Sequence, residues 1–144
     1  MRRSRPIADV RGFTLVEVLV CLLIISILFA ILLPPFLDQR AKGEDAEAKL
    51  TLRTAALAMH AHYVDNETFA ATVAELKRIE PSLSQALDLR IVRGTQHGYE
   101  ISEQSESNTV FTMTRAANGD LRRDCSHRGY GLCRDSADAN GNFW

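Results

Sequence analysis

A single apolar run near the amino terminus constrains this chain more than any other feature. Between Phe13 and Phe36, 19 of 24 residues are apolar, and Glu17 is the only charged one. As a helix, residues 13–33 would extend about 31 Å, which matches the hydrocarbon core of a bilayer. The alternative is the buried core helix of a globular protein, but such a helix normally keeps a polar stripe, and this run has none. The run therefore predicts one membrane-spanning helix.

Charged residues on the two sides of the run predict its orientation. Residues 1–12 contain four arginines and one acidic residue, whereas the two basic residues just after the run are offset by three acidic ones. Because basic residues are retained on the cytoplasmic side of a membrane, we expect the amino terminus to face the cytoplasm. The carboxy-terminal part of the chain is then expected on the outer side.

The expected cleavage point differs from that of an ordinary secretory signal. Such signals have a shorter apolar stretch that is followed by small residues, whereas this run is followed by Pro34 and Pro35. The small residue stands before the run instead, at Gly12. Cleavage after Gly12 would keep the helix, remove a basic leader at residues 1–12, and change the formal net charge of the chain from −1 to −4.

The segment RGFTLVEVLV at residues 11–20 resembles the amino terminus of the type IV pilin family. The family pattern is a glycine before the cut, a phenylalanine after it, a hydrophobic run, and a glutamate as the fifth mature residue. Gly12, Phe13 and Glu17 match it. The resemblance implies that a prepilin peptidase cuts after Gly12 and N-methylates Phe13. Pro34 and Pro35 lie where these pilins often carry a helix-bending proline.

Glu17 needs an explanation, because a carboxylate at the centre of a bilayer costs about 2.5–3.5 kcal/mol, and less near an interface. A tolerated side chain that reaches the headgroups is one interpretation. The other depends on cleavage, which would create a largely cationic α-amino group on Phe13. In a filament of packed helices, that amine and the Glu17 of a neighbour would neutralise each other and set the axial register.

The rest of the chain predicts an α+β pilin fold, in which the long amino-terminal helix packs on a small antiparallel four-stranded sheet. We expect a leader at 1–12, a transmembrane or filament-core helix at 13–36, an amphipathic helix at 37–64, and a globular head at 65–144. Charged residues of the third segment, among them Lys49, are expected on its solvated face. A second helix is predicted at 73–79, strands at 87–92, 99–102, 110–114 and 121–123, and a hairpin turn at Asn118-Gly119. The residues expected to pack on the sheet repeat about every 3.6 positions: Leu50, Leu57, Ala61 and Val64.

Cys125 and Cys133 are expected to form a disulfide in an oxidising exterior, and a disulfide-bounded loop at the carboxyl end recurs in pilins. The alternative is a metal site formed with His127, for which no fourth ligand is evident. Residues 138–142, which begin with Asp138, contain a fragment of a calcium-loop pattern without its terminal glutamate. Asn66 begins a triplet that fits a glycosylation acceptor. We assign no metal, cofactor or catalytic residue.

The predicted function is structural: a major or minor pilin that polymerises with itself or other pilins into a type IV pilus for adhesion, motility or DNA uptake. The expected partners are the membrane, a prepilin peptidase, and a pilus assembly platform with its ATPase. The protein would lie in the cytoplasmic membrane before assembly and in an extracellular filament afterwards. Its near-neutral charge argues against binding nucleic acid by bulk charge, although a competence pilin would contact DNA. The alternatives are a pseudopilin of a type II secretion or competence system, and a single-pass membrane-anchored enzyme or binding domain.

Overall fold

The computed structural model describes residues 12–144, except for the side chains of residues 33–35. Residues Leu37–Trp144 form one compact unit, and the described residues that precede Leu37 belong to a second. The predicted leader falls outside the described residues and stays a prediction. The first helix is continuous through Pro34 and Pro35, and the bend predicted there stays a prediction. The elements are α1 (Leu15–Asn66), α2 (Val73–Ile79), a 3-10 helix (Pro81–Gln85), β1 (Arg90–Gly94), β2 (Tyr99–Gln104), β3 (Val110–Arg115) and β4 (Leu121–Cys125).

The four strands form one antiparallel sheet in the order β1-β2-β3-β4. The turn between β3 and β4 places Gly119 at φ +93°, in the left-handed region that glycine tolerates. The N–H of Ala116 donates to the Asp120 carbonyl across this turn at 2.9 Å, so the hairpin predicted there is confirmed. The first strand begins later than predicted, because the N–H groups of Leu87 and Asp88 donate to a side-chain carboxylate on β2 and not to a strand.

The second helix has the predicted bounds, because local capping sets them. Thr72 and Glu75 form a capping box, in which the Thr72 Oγ1 accepts from the Glu75 N–H and the Glu75 carboxylate accepts from the Thr72 N–H. Pro81 then begins the 3-10 helix. The four-stranded sheet, the long first helix and the disulfide-bounded loop together confirm the predicted fold class.

The face of α1 that packs into the core is not the predicted one. Leu50, Leu57 and Val64 are 63 %, 71 % and 78 % exposed, and Ala61 is exposed as well. The buried face has the same helical period, but it consists largely of small residues and includes a charged one. The prediction from the spacing of apolar residues is therefore wrong about which residues of the helix pack on the sheet. Its members are Ala41, Asp45, Ala48, Leu52, Ala55, Ala58, Met59 and His62. The apolar ones from Ala48 onward share a hydrophobic core with aromatic side chains that include Phe69, Tyr99 and Phe111.

Candidate functional site

The residues matched to the pilin pattern lie at the start of α1. Gly12 and Phe13 precede the first helical residue, Leu15. Apart from the chain neighbours of Gly12, no atom of the described residues lies within 4 Å of the position that a Cβ at Gly12 would take. Phe13 is 80 % exposed. Among the described residues, none covers the bond between Gly12 and Phe13, and this bond lies outside regular structure. Its cleavage and the methylation of Phe13 stay predictions.

Glu17 takes part in a capping arrangement that the sequence analysis missed. The Thr14 N–H lies 3.4 Å from Glu17 Oε2, and the Glu17 N–H donates to Thr14 Oγ1 at 3.2 Å. Together these contacts form a capping box at the amino end of α1. The Thr-x-x-Glu spacing is a known helix-start signal, so the sequence did contain the information. The contact from Thr14 engages one carboxylate oxygen and leaves the other for a second donor.

The first part of α1 presents an apolar surface on every side. Leu15–Leu32 is long and apolar enough to cross a membrane, and none of its residues is buried. Fifteen large apolar side chains from Phe13 to Leu32 are between 46 % and 80 % exposed. The one serine is satisfied internally, since Ser26 Oγ donates to the Leu22 carbonyl at 2.7 Å. Such a surface is unstable in water and requires lipid or other apolar helices around it.

We call the compact unit Leu37–Trp144 the outer unit, because the sequence predicts it on the outer side of the membrane. In this unit, two side chains of α1 bind both backbone groups of one distant residue. Asp45 is fully buried, and its Oδ2 accepts from the Leu132 N–H at 2.9 Å. One turn further along the helix, Lys49 Nζ donates to the Leu132 carbonyl at 2.7 Å. Asp45 Oδ1 also accepts from Ser107 Oγ at 2.6 Å. We call Asp45 and Lys49 the loop clamp, because they fix the disulfide loop to the helix.

Lys49 is not on the solvated face as predicted. Its ammonium group lies 5.1 Å from the ring centre of Phe111 and 5.7 Å from that of Trp144. Burial lowers the pKa of Lys49 to about 8, although the neighbouring Asp45 carboxylate opposes this shift. The aromatic rings and the Leu132 carbonyl compensate part of the hydration that the ammonium group loses.

The predicted disulfide is present: Cys125 and Cys133 are bonded, across eight positions of sequence. The alternative metal site with His127 is therefore wrong for this state, because both thiols are used. In the part of the chain that the structure describes, no group of three or more His, Cys, Asp or Glu residues is placed to hold a metal ion. Asp138 instead closes its own turn, where its Oδ1 accepts from the N–H groups of Asn140 and Asn142, and the largest of several effects that lower its pKa is the Asn142 bond.

The exposed apolar helix, the capped Glu17 and the small α+β unit define a membrane-anchored protein of the pilin class. The family model for the prokaryotic N-terminal methylation motif matches residues 7–33. The chain is 28 % identical over 102 residues to the type IV major pilin protein PilA of Myxococcus xanthus, an alignment that covers 71 % of this chain and 41 % of that protein.

Two further relatives extend the comparison. The chain is 31 % identical over 75 residues to the competence protein ComGC of Halalkalibacterium halodurans, covering 52 % of this chain and 74 % of that protein. It is 24 % identical over 138 residues to the type IV major pilin protein PilE1 of Neisseria gonorrhoeae, covering 90 % of this chain and 75 % of that protein. The chain belongs to the type IV pilin family.

Proposed function

We propose that this protein is a pilin subunit, made as a membrane-anchored precursor and polymerised through α1 into a type IV pilus. The observation that carries the proposal is the apolar segment Leu15–Leu32, in which no residue is buried, which begins two residues after Phe13 and which includes one carboxylate. In the precursor, lipid covers this surface. In the filament, the same segments of neighbouring subunits cover it, so assembly exchanges one apolar environment for another.

Processing and assembly are coupled through charge. A prepilin peptidase removes residues 1–12 and methylates the new amino terminus on Phe13. Glu17 of one subunit then pairs with the Phe13 amine of the next. A slip by one helical turn, about 5.4 Å, leaves both charges unpaired in a dry environment, so the pair defines the axial register. The uncut chain lacks this amine and carries four leader arginines that resist burial.

Residues 37–64 form the inner helix of the outer domain and residues 65–144 its head, while an assembly platform with its ATPase extracts the subunit from the cytoplasmic membrane. The protein acts as a structural subunit and not as an enzyme, and it resides on the cell surface after assembly. The relatives named as type IV major pilins support this role.

Variants of Thr14 and Glu17 separate the charge pair from helix capping. Glu17→Gln removes the charge and keeps the shape of the side chain, so we expect processed subunits that do not enter filaments. Thr14→Ala removes the cap and keeps the charge, so filaments should still form. The measurement is the amount of this chain in sheared surface filaments, with subunit processing followed by mass. Normal filaments from Glu17→Gln would contradict the charge-pair mechanism, and normal processing of Gly12→Ala would contradict the assigned cleavage point.

The similarity to the competence protein favours one alternative, a pseudopilin of a competence or secretion machine. Such a subunit shares the amino-terminal chemistry but forms only short assemblies. Long surface filaments of this chain would then be absent, and deletion would abolish transformation or protein export. Loss of the long filaments on deletion would instead identify a pilus subunit.

A further inference from the structure

The backbone around Cys125 is held in place by groups outside the loop that the disulfide closes. Cys125 lies opposite Phe111 in the antiparallel pairing of β3 with β4. Next to it, the carbonyl of Asp124 accepts a hydrogen bond from Trp144 Nε1 at 2.7 Å. Neither contact involves a sulfur atom, so the sheet and the tryptophan fix this side of the disulfide without help from the covalent bond.

The backbone next to Cys133 is held by the loop clamp. Leu132 immediately precedes Cys133, and its N–H and carbonyl are bound by Asp45 at 2.9 Å and by Lys49 at 2.7 Å. One residue earlier, Gly131 lies so close to the Asp45 carboxylate that a Cβ there would collide with it. These contacts also involve no sulfur atom. Both sides of the disulfide are therefore positioned by contacts that do not require the bond.

Access to the disulfide depends on the same contacts. Cys125 and Cys133 are both buried, and a thiolate must reach a disulfide sulfur in order to reduce it. The loop therefore has to move away from α1 before the bond is attacked. This movement breaks both bonds of the loop clamp and leaves the fully buried Asp45 carboxylate without one of its donors.

We propose that Asp45 and Lys49 are positioning residues for the formation of the Cys125–Cys133 disulfide, because they hold the two thiols together in the dithiol chain. In the reaction, the two thiols give two electrons and two protons to a disulfide such as oxidised glutathione, which becomes two thiols. Contacts that favour the closed loop raise the effective concentration of one thiol at the other, and by linkage the bond favours those contacts. The inference concerns the outer unit and does not rest on assembly into a filament.

Equilibration with reduced and oxidised glutathione measures the effective concentration of the two thiols. The purified full chain in detergent carries Cys21→Ser, because Cys21 is a free and exposed cysteine. After equilibration, free thiols are alkylated and the oxidised fraction is measured by mass. We expect Asp45→Ala to lower the equilibrium constant for oxidation about ten-fold, which corresponds to about 30 mV for a two-electron couple. Lys49→Met keeps the apolar stem and should lower the constant roughly three-fold or more.

Two control variants separate positioning from general stability. Asp38→Ala changes a surface carboxylate of the same helix, which pairs with Lys42. Leu76→Ala removes a fully buried side chain of α2, outside the loop and its clamp, and so destabilises the core. Both should leave the equilibrium constant unchanged, with tryptophan fluorescence confirming that each chain is folded.

Lys49→Met decides the proposal even if Asp45→Ala fails to fold. An unchanged equilibrium constant in Lys49→Met, or an equal fall in folded Leu76→Ala, would overturn the proposal. A fall in Lys49→Met together with an unchanged constant in folded Asp45→Ala would overturn the role of Asp45.

The rate at which dithiothreitol reduces the folded chain gives a second measurement. The rate should rise about ten-fold in Asp45→Ala, because the loop opens more often. Asp45→Asn should restore much of the original rate, since its amide oxygen accepts from the Leu132 N–H and its nitrogen donates to Ser107 Oγ, the two groups that the carboxylate binds. Equal rates in the unmodified chain and Lys49→Met would contradict the control of access by the loop clamp.

Discussion

Replacing Asp45 of the loop clamp by alanine should destabilise the outer unit strongly. The fully buried carboxylate accepts from Ser107 Oγ at 2.6 Å and from the Leu132 N–H at 2.9 Å. Hydrogen bonds to a charged group contribute roughly 1.5–3 kcal/mol each, and alanine also leaves the Leu132 N–H without its acceptor. We therefore expect Asp45→Ala to lower the free energy of unfolding by about 3–5 kcal/mol, which corresponds to a fall in Tm of about 12 °C or more.

The assay is thermal and urea unfolding of the purified full chain in detergent, followed by tryptophan fluorescence. Trp144 is the one tryptophan in the sequence and is buried in the outer unit, so the signal reports on that unit. Asp38→Ala is the matched control on the same helix, because Asp38 pairs with Lys42 at the surface and such pairs contribute about 0–1 kcal/mol. A loss for Asp45→Ala no larger than that for Asp38→Ala would refute the reasoning.

Three further predictions concern the same unit. Replacing both cysteines of the Cys125–Cys133 disulfide by serine should lower the free energy of unfolding by about 2–3 kcal/mol for a loop of this length. An unchanged urea midpoint would contradict this prediction. Gly131→Ala should lower the free energy of unfolding by about 1–3 kcal/mol more than Gly141→Ala. Both glycines have positive φ, but only at Gly131 would a Cβ collide with the Asp45 carboxylate. Equal urea midpoints for the two variants would exclude the clash. Burial raises the pKa of Glu103, so this carboxyl group keeps its proton to a higher pH in the folded chain than in the unfolded chain. The stability that the folded chain has at low pH is therefore lost as the pH rises through the pKa that Glu103 has in the folded chain. The Tm of Glu103→Gln relative to the unmodified chain should therefore increase between about pH 4 and pH 7, and a constant difference across that series would count against it.

Features set by neighbouring residues could be predicted from the sequence. The apolar run, the second helix and the β3–β4 hairpin each depend on a short local pattern, and the bounds of the helix at Val73–Ile79 follow from its capping box and Pro81. The capping box of Thr14 and Glu17 was equally local. It was missed because Glu17 was considered only as a charge within a membrane segment.

Features that depend on distant residues could not be predicted in this way. Asp45 and Leu132 are 87 positions apart, and nothing near either residue indicates the other. The buried face of α1 was missed for a related reason, since the loop clamp draws a charged residue into that face while Leu50 and Leu57 stay exposed. Glu103 likewise accepts hydrogen bonds from the N–H groups of Leu87 and Asp88, at the start of the segment that the sequence pattern predicts as the first strand.

The mass of the amino-terminal peptide from sheared surface filaments tests the central claim most directly. The proposed function predicts a chain that lacks residues 1–12 and begins with N-methylated Phe13. Recovery of a chain that begins at Met1, or at any residue other than Phe13, would contradict the coupling of cleavage to assembly. A chain that begins at an unmethylated Phe13 would retain the cleavage point and contradict the methylation.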